Sequence, residues 1–473
     1  MRPRPFLLLL SLSLLLVLFA ALTSPAQAGH AAYIPGATPT RLSAGRAAAT
    51  ARATPVPTHA IALAPSTPQP PATTPAPRPT GDPDPEAPFH DSTGAIADVP
   101  FATLGALRTR LAGLASPQAA DPFWADVVAL GQMPLIFGDV AVFLYRGEAT
   151  SVAWLGDFTA WRGGAPLAGE RTGQTDIWVA EQRFPPDARF DYQVRVDDRQ
   201  INDPLNPLRQ LGGYGANSTL QMPAYVLPPD ITVADGVPRG ALSEPLLIDS
   251  KHLGYTKRFI VYTPAGRPPG VEALRGLPVI YVTDGHEFSH PEMGALPHIL
   301  DNLIAHGRIA PVMAVFIDPR AVDTGENLRG PELLTNPRFQ SFLTQELIPT
   351  IDARYPTRPA ADARAIVGMS LGGLHATYTA MRQPDWFGLI GLLSPYFQAK
   401  PAVLAEVEQA ERKPVRLFVS QGTYDSDLAN SRALRDILSA KGYPFLYLET
   451  NDGHSWGNWR GVLDDMLLYF FGR

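Results

Sequence analysis

The stretch Gly368-Met369-Ser370-Leu371-Gly372-Gly373 contains the pattern Gly-x-Ser-x-Gly, in which a serine can act as a nucleophile. A buried strand is predicted before the serine, at 365–369, and a helix after it. The sharp turn between them needs small residues two positions before and two positions after the serine, and glycine occupies both. The spacing therefore predicts that the Ser370 hydroxyl projects from the end of a strand. It also predicts that the N–H of Leu371 faces the same space, as a donor to an oxyanion.

A serine hydroxyl needs a base to become a good nucleophile, and His454 is the candidate. His454 follows the predicted strand 445–449, and Asp425 follows the predicted strand 416–420. The order serine, acid, histidine along the chain is the one found in folds with this turn, so we expect both residues at the catalytic edge of a sheet. His454 would accept the serine proton, and Asp425 would hold the imidazole in the required tautomer. Asp427 is the alternative acid, although it is also suited to cap the helix that follows.

A second donor to the oxyanion is expected after the predicted strand 278–283, which ends at Asp284-Gly285-His286-Glu287. Gly285 would let the backbone approach a substrate, and the N–H of His286 would be the donor. The alternative is an ordinary turn, because Asp-Gly is a common turn dipeptide. No metal site and no cofactor are predicted, because the histidines of this region follow a strand and do not share one helical face.

The elements that would position these residues alternate between apolar strands and helices over residues 240–473. This alternation predicts a mostly parallel sheet with helices on both faces, which together with the serine turn is the α/β-hydrolase fold. The predicted strands are 258–263, 278–283, 312–317, 365–369, 389–393, 416–420 and 445–449. The predicted helices are 292–305, 337–353, 371–381, 402–411, 427–440 and 459–471.

An all-β pattern precedes this sheet, after two short helical patterns at 101–115 and 121–130. Short runs rich in β-branched and aromatic residues lie between turns, at 140–145, 150–155, 176–180 and 190–196. The pattern predicts an immunoglobulin-like β-sandwich in a first domain that extends over residues 97–226. Its tryptophans are expected in the core, and a sugar-binding platform is the alternative.

The first 96 residues differ in composition from the rest. Arg2 and Arg4 precede a long apolar run, and Ala26-Gln27-Ala28 offers a cleavage site. Residues 1–28 are therefore predicted to be a secretory signal peptide, with an uncleaved membrane anchor as the alternative. Residues 29–96 are rich in Pro, Ala and Thr and are predicted to be a disordered linker, with order beginning near residue 100. We expect a secreted or periplasmic protein without membrane contact beyond the export signal.

The whole chain has 473 residues, a formal net charge of −6 and no cysteine. A mildly acidic chain provides no electrostatic attraction for nucleic acid, so no such partner is expected. Without cysteine the chain has no disulfide and no thiolate metal site. The sequence does not predict an oligomeric state.

Several motifs together resemble the putative esterase family of α/β-hydrolases, which includes enterochelin (enterobactin) esterases and feruloyl esterases. The resemblance covers residues 240–473 and rests on Asp284-Gly285, Gly-x-Ser370-x-Gly-Gly, Gly422-Thr-x-Asp425 and Gly453-His454-x-Trp456-x-x-Trp459-Arg460. Upstream, Gly156-Asp-Phe-x-x-Trp161 is similar to the sandwich that precedes the hydrolase domain in enterochelin-esterase-like proteins and helps to enclose their substrate. Where the family often has Gly-Gly-His-Asp-Trp, this chain has Asp452-Gly453-His454-Ser455-Trp456.

The resemblance implies an exported serine esterase that hydrolyses carboxylic esters through an acyl-serine intermediate. Its substrate would be a small-molecule ester, either a siderophore or a feruloylated sugar. A feruloyl or acetyl-xylan esterase and an acyltransferase are the enzymatic alternatives. A surface protein that binds carbohydrate or siderophore, with an inert hydrolase body, is the alternative from another class. The export signal separates this chain from cytoplasmic siderophore esterases and leaves the natural substrate open.

The resemblance also implies residues beside the substrate pocket. Arg329 and Glu332 match residues that similar esterases carry there, and Gly285 and Trp456 are expected to contact the substrate as well. An arginine at this position would suit an anionic substrate. A salt bridge that merely holds the loop is the alternative for Arg329 and Glu332.

Overall fold

The computed structural model describes residues 40–42, 75–92, 99–161, 163–266 and 276–473, which all belong to one compact unit, Pro39–Arg473. The predicted signal peptide and most of the predicted linker lie outside the described residues. No helix within the described ranges is long and apolar enough to cross a membrane.

A mixed sheet occupies the centre of the carboxyl-terminal part of the chain, with ten strands among the described residues. From Met313–Ile317 to Phe445–Thr450 the neighbouring strands pair in parallel, as the alternation with helices predicts. On the other side of the sheet the pairs are antiparallel, except that Thr40–Leu42 pairs in parallel with Leu246–Asp249. The spatial order is Thr40–Leu42, Leu246–Asp249, Thr256–Thr263, Met313–Ile317, Val279–Val282, Arg364–Met369, Leu389–Leu393, Arg416–Gly422 and Phe445–Thr450, with Ala241–Leu242 paired to Thr256–Thr263.

Helices cover both faces of this sheet, and this is why its central strands are mostly apolar. In the strand Val279–Val282, Val279 and Tyr281 join one apolar cluster, and Ile280 and Val282 join the cluster on the opposite face. The helices of this part are Gly285–Phe288, Leu296–Ala305, Arg329–Leu333, Pro337–Phe342, Ile348–Arg354, Leu371–Arg382, Ala402–Gln409, Leu428–Ala440, Trp456–Arg460 and Leu463–Phe471.

Two of the predicted helices are interrupted. The predicted helix 337–353 contains a π-helical stretch, Leu343–Leu347, just before Pro349. Proline lacks the N–H that a regular α-helical bond at this position requires, so the wider turn is a physical consequence of the sequence. The predicted helix 459–471 begins earlier and is divided into Trp456–Arg460 and Leu463–Phe471, with Gly461 and Val462 between them.

Two antiparallel sheets and two helices precede this part. The larger sheet has, among the described residues, the order Arg209–Gly212, Gly215–Gln221, Arg189–Val196, Val152–Gly156 and Leu167–Ala168, with Arg199–Ile201 paired to Arg189–Val196. The smaller sheet has the order Leu135–Phe137, Val140–Arg146, Ile177–Arg183 and Glu170–Arg171. Both sheets contribute to one apolar cluster that includes Phe143, Trp154 and Trp178, so these tryptophans are core residues. The helices Leu104–Ala112 and Pro117–Ala129 pack on the smaller sheet through a separate cluster.

Residues 75–92, predicted as part of the disordered linker, contact the folded body. The N–H of Ala76 donates to a carboxylate of the antiparallel region at 3.1 Å. The guanidinium of Arg78 lies 4.3 Å from the ring centre of Tyr424. The prediction that order begins near Pro100 is therefore wrong for this stretch. Its prolines cannot join a regular sheet, but an extended chain still packs through its other groups.

A buried histidine of the helix Leu371–Arg382 makes folding sensitive to acid. His375 is 0% exposed, and its ring meets the Phe339 ring edge-on at 5.1 Å. Burial lowers the pKa of His375 from 6.5 to about 3. The unfolded chain therefore binds the proton more readily between these values, so stability is lost as pH falls from about 6.5 toward about 3.

We predict that His375→Leu makes the free energy of unfolding less dependent on pH in this range. The removed dependence has a slope of up to about 1.4 kcal/mol per pH unit. Urea unfolding at a series of pH values would measure it, with His306→Gln as the control because His306 is exposed. Equal pH slopes for the wild type and His375→Leu would contradict the prediction.

Candidate active site

Ser370 lies in a strained turn between the strand Arg364–Met369 and the helix Leu371–Arg382. Its backbone has φ 55° and ψ −118°, a conformation that few residues other than glycine adopt. A Cβ atom on Gly368 would overlap the backbone of Gly372, and one on Gly372 would overlap the hydroxyl of Thr283. The two glycines are therefore sterically required, as the spacing predicts.

The structure brings Asp425 and His454 together. The imidazole Nδ1 lies 2.6 Å from a carboxylate oxygen of Asp425, and the two residues follow adjacent parallel strands. The Asp425 side chain is 1% exposed and that of His454 is 34% exposed. Although burial opposes ionisation, the charge and hydrogen bond of His454 lower the pKa of Asp425 below its ordinary value. The ionised carboxylate can therefore orient the imidazole and stabilise its protonated form.

Asp427, the alternative acid, has other partners. Its carboxylate accepts from the N–H of Gln398 at 3.1 Å and from the Asn430 side chain. Its own N–H donates to Asp425 at 3.0 Å, so it supports the acid that faces His454. The geometry favours Asp425 over Asp427 as the partner of the imidazole.

The two predicted oxyanion donors both lie in the first turn of a helix. Leu371 begins the helix Leu371–Arg382, and His286 is the second residue of Gly285–Phe288. Such N–H groups have no partner within their own helix and carry the positive end of its dipole. Burial and then the neighbouring Arg320 guanidinium lower the pKa of the His286 side chain to about 4. Its imidazole is therefore neutral at pH 7, and the predicted donor is the backbone N–H of His286.

Gly285 has a packing role that the sequence does not predict. A Cβ atom there would overlap the backbone of Phe316 and Ile317, in the neighbouring strand. Gly285 is itself buried. The glycine therefore allows the short helix to pack on the sheet, and its approach to a substrate stays a prediction.

Trp456 is also a structural residue. It is 2% exposed, and its Nε1 donates to Glu287 at 2.6 Å. The Trp456 ring meets Phe288 at 5.0 Å and Trp459 at 5.4 Å, both edge-on. The predicted substrate contact is therefore wrong, because the ring is enclosed between the short helix Gly285–Phe288 and the His454 loop.

Glu332 forms a buried salt bridge, which is the alternative to a substrate contact that the sequence leaves open for this residue. The residue is 0% exposed, and its carboxylate accepts from Lys257 at 2.7 Å and from the Tyr255 hydroxyl at 2.8 Å. The Lys257 side chain is itself 1% exposed. A carboxylate enclosed in this way cannot reach a substrate, so the predicted substrate contact of Glu332 is wrong.

Arg329 connects two loops of the site. Its Nε donates to Asp284 at 2.8 Å, and its Nη2 donates to the carbonyl oxygen of Met369, just before the serine, at 3.2 Å. Its side chain is 20% exposed. These contacts hold the loop after one strand against the turn that carries Ser370. A contact with an anionic substrate stays a prediction for the exposed part of the guanidinium.

Trp459 belongs to the histidine motif but has no role predicted from the sequence. Its ring meets the His454 imidazole at 4.9 Å with an interplanar angle of 88°. Arg189, in the strand Arg189–Val196, is likewise not predicted from the sequence, although it donates to Ser455 beside His454 and pairs with Asp191. The arginine and aspartate at the buried start of that strand were the available signal.

The arrangement as a whole combines a serine in a strand-to-helix turn, an imidazole held by a buried carboxylate, and free amides at two helix starts. Together with the parallel sheet, this is the architecture of an α/β-hydrolase. The residues can support attack of a hydroxyl on a carbonyl carbon, with stabilisation of the resulting oxyanion.

Comparison with known proteins agrees with this class. Residues 250–470 match the model of the putative esterase family. The endo-1,4-beta-xylanase/feruloyl esterase of Xylanibacter ruminicola is 28% identical over 322 residues, which are 66% of this chain and 42% of that protein. The iron(III) enterobactin esterase of Escherichia coli K12 is 32% identical over 281 residues, which are 57% of this chain and 66% of that protein. This chain therefore spans less than half of the first relative's length.

Solved structures share the fold. The enterobactin esterase of Shigella flexneri, crystallised in the presence of enterobactin, has a TM-score of 0.58 at 23% identity over 70% of this chain and 92% of its own. The ferric enterobactin esterase of Salmonella typhimurium has a TM-score of 0.58 at 22% identity, over 70% and 93%. Identities this low establish the fold and no more. With the match of the family model, residues 250–470 belong to the putative esterase family.

We predict that Gly368→Ala destabilises the protein by roughly 1–3 kcal/mol, because the added methyl group must displace the backbone of Gly372. The free energy of urea unfolding would measure the loss. Gly330→Ala is the matched control, since a Cβ there meets no atom within 4 Å. Similar stabilities for the two variants would contradict the steric account of the turn.

Proposed function

We propose that this protein is an exported serine esterase that hydrolyses a carboxylic ester through an acyl-serine intermediate. The observation that carries the proposal is the 2.6 Å contact between His454 and the buried Asp425, at the sheet edge where Ser370 also lies. An imidazole held by a buried carboxylate is the base that a serine nucleophile requires. Membership of residues 250–470 in the putative esterase family supports the same reaction class.

The proposed reaction has two stages. Ser370 Oγ attacks the ester carbonyl while His454 Nε2 takes its proton, and Asp425 stabilises the imidazolium that forms. The amides of Leu371 and His286 donate to the oxyanion of the tetrahedral intermediate. His454 then gives the proton to the leaving alcohol, which leaves an acyl group on the serine. Water attacks this acyl group with the same base, and the carboxylic acid and free Ser370 are regenerated.

The proposed substrate is an enterobactin-like siderophore ester, and a feruloylated sugar is the second candidate. Relatives named as enterobactin esterases and as a feruloyl esterase support these two classes. The partly exposed guanidinium of Arg329 beside the serine turn would favour an anionic substrate. Product release from ferric and iron-free catechol siderophores and from feruloyl-arabinoxylan, measured by chromatography under identical conditions, would decide between them.

The proposal includes a signal peptide at 1–28, a linker that follows it, and an immunoglobulin-like sandwich before the hydrolase domain. Arg2, Arg4 and the apolar run after them support export. The two facing antiparallel sheets support the sandwich. The mass of the protein recovered from the exporting host would test cleavage after Ala28, and a mass that includes the first 28 residues would favour the anchor.

We predict that Ser370→Ala lowers kcat for p-nitrophenyl butyrate by at least roughly 1,000-fold, because no acyl-enzyme can form. A fluorophosphonate probe should label the wild type and not this variant. Ser439→Ala, at an exposed position of the helix Leu428–Ala440, is the control and should retain activity. Full hydrolysis by a folded Ser370→Ala protein would rule out the mechanism. A wild type that is neither labelled nor active would favour the inert binding protein.

The choice of acid leads to a second prediction in this assay. Asp425→Asn should lower kcat by roughly 1,000-fold or more, since the amide favours the wrong imidazole tautomer. Asp427→Asn should lower kcat by less than roughly 10-fold, because its carboxylate contacts Gln398 and Asn430 and not His454. The reverse order of the two losses would assign the acid to Asp427.

A further inference from the structure

The strand Arg189–Val196 of the antiparallel region begins against the two loops that carry the proposed acid and base. The N–H of Arg189 donates to the carbonyl oxygen of Asn451 at 3.0 Å, in the His454 loop. The Phe190 ring meets the Tyr424 ring edge-on at 4.5 Å, next to Asp425. One strand end outside the family-matched segment therefore contacts both loops.

The Arg189 side chain extends this contact around the histidine. It is 3% exposed, and its Nη1 donates to the Ser455 hydroxyl at 3.1 Å and lies 3.6 Å from Asp452. Asp452 directly precedes Gly453-His454 in the sequence, and Ser455 directly follows it. A Cβ atom on Gly457 would overlap the guanidinium, so glycine is what allows the arginine to lie there.

A second side chain of the antiparallel region supports the residue before the histidine. Asp157 is 3% exposed, and its two oxygens accept from Trp161 Nε1 and from the N–H of Asp191, both at 2.8 Å. A Cβ atom on Gly453 would overlap this carboxylate. The backbone of the histidine loop therefore rests directly on Asp157.

This contact also contains several buried charges. Asp157, Asp191 and Asp452 are all at most 4% exposed, and Arg189 pairs with Asp191 at 2.7 Å. Burial and then repulsion from Asp191 raise the pKa of Asp157 to about 7. Buried carboxylates need a cation or well-formed hydrogen bonds, and Arg189 is the cation that lies beside Asp191 and Asp452.

We propose that Arg189 is a positioning residue for the His454–Asp425 pair, and that Asp157 supports the same loop. The inference rests on the proposed function, because it assigns the arginine a role in holding the proposed base. Proton transfer from a serine requires the imidazole to be held within a fraction of an ångström. The histidine loop obtains that precision from a strand of the preceding antiparallel sheet.

A contact that only joins two parts of the protein would behave differently from a positioning contact. Its loss would lower the melting temperature while each folded molecule kept its kcat. Loss of positioning would lower kcat in molecules that remain folded, with little change in KM, because the substrate contacts are intact.

The test is Arg189→Lys, which keeps the buried positive charge but loses the planar fork. With p-nitrophenyl butyrate we expect kcat to fall roughly 10- to 100-fold and KM to stay within about twofold. Competent molecules are counted by complete fluorophosphonate labelling of Ser370. Arg146→Lys is the control, since Arg146 forms ion pairs with Asp121 and Asp176 away from both loops. This control should leave kcat unchanged.

Ser455→Ala is the second variant, in case Arg189→Lys does not fold. It removes the hydroxyl that accepts from Arg189 and leaves all the charges in place. We expect the same selective loss of kcat, of a few-fold. An unchanged kcat for folded Arg189→Lys, or for Ser455→Ala if the first variant is unfolded, overturns the positioning role. Ser370→Ala in the same assay separates the two proposals, because its full activity would overturn the proposed mechanism itself.

Discussion

Neither Gly368 nor Gly372 has room for a Cβ atom, because the first would overlap the backbone of Gly372 and the second the hydroxyl of Thr283. Because both side chains are absent, the chain can pass from a buried strand into a helix with only Ser370 between them. In this tight turn Ser370 has a positive φ of 55°. The helix begins directly after the serine, so the N–H of Leu371 has no partner within its own helix. The remaining groups of the site are arranged around this turn.

The antiparallel region and the parallel sheet meet at the loops of the proposed acid and base. Asp157 and Arg189 occupy space that exists only because Gly453 and Gly457 have no side chains. The polar groups at this contact are buried, and their hydrogen bonds cross from one part of the chain to the other. The contact therefore resembles a protein interior more than a hinge between separable modules. Predicting the two parts as separate domains gave no indication of this contact.

Several residues that the family resemblance assigns to the substrate pocket make contacts within the protein instead. Glu332 neutralises the buried Lys257, and Trp456 fills the space between the short helix Gly285–Phe288 and the His454 loop. Arg329 holds the loop at Asp284 against the serine turn. Glu332 and Trp456 are too buried to contact much of a ligand, whereas the Arg329 side chain is partly exposed. Shared motifs in this part of the chain thus reflect the geometry of the turn as much as the chemistry of the substrate.

The sequence by itself determined the alternation of strands and helices, the turn at Ser370, and the strand ends that bring Asp425 and His454 to one edge. These features depend on local spacing and on the rule that parallel strands share a catalytic edge, so one chain is enough to infer them. The tertiary structure decided which of two nearby aspartates faces the imidazole, because the difference depends on side-chain direction in a loop. It also decided that Glu332 and Trp456 are enclosed, and that Arg189 and Asp157 lie against the histidine loop. Those contacts join residues that are far apart in the chain. A local sequence pattern therefore does not show that a glycine leaves room for a distant side chain.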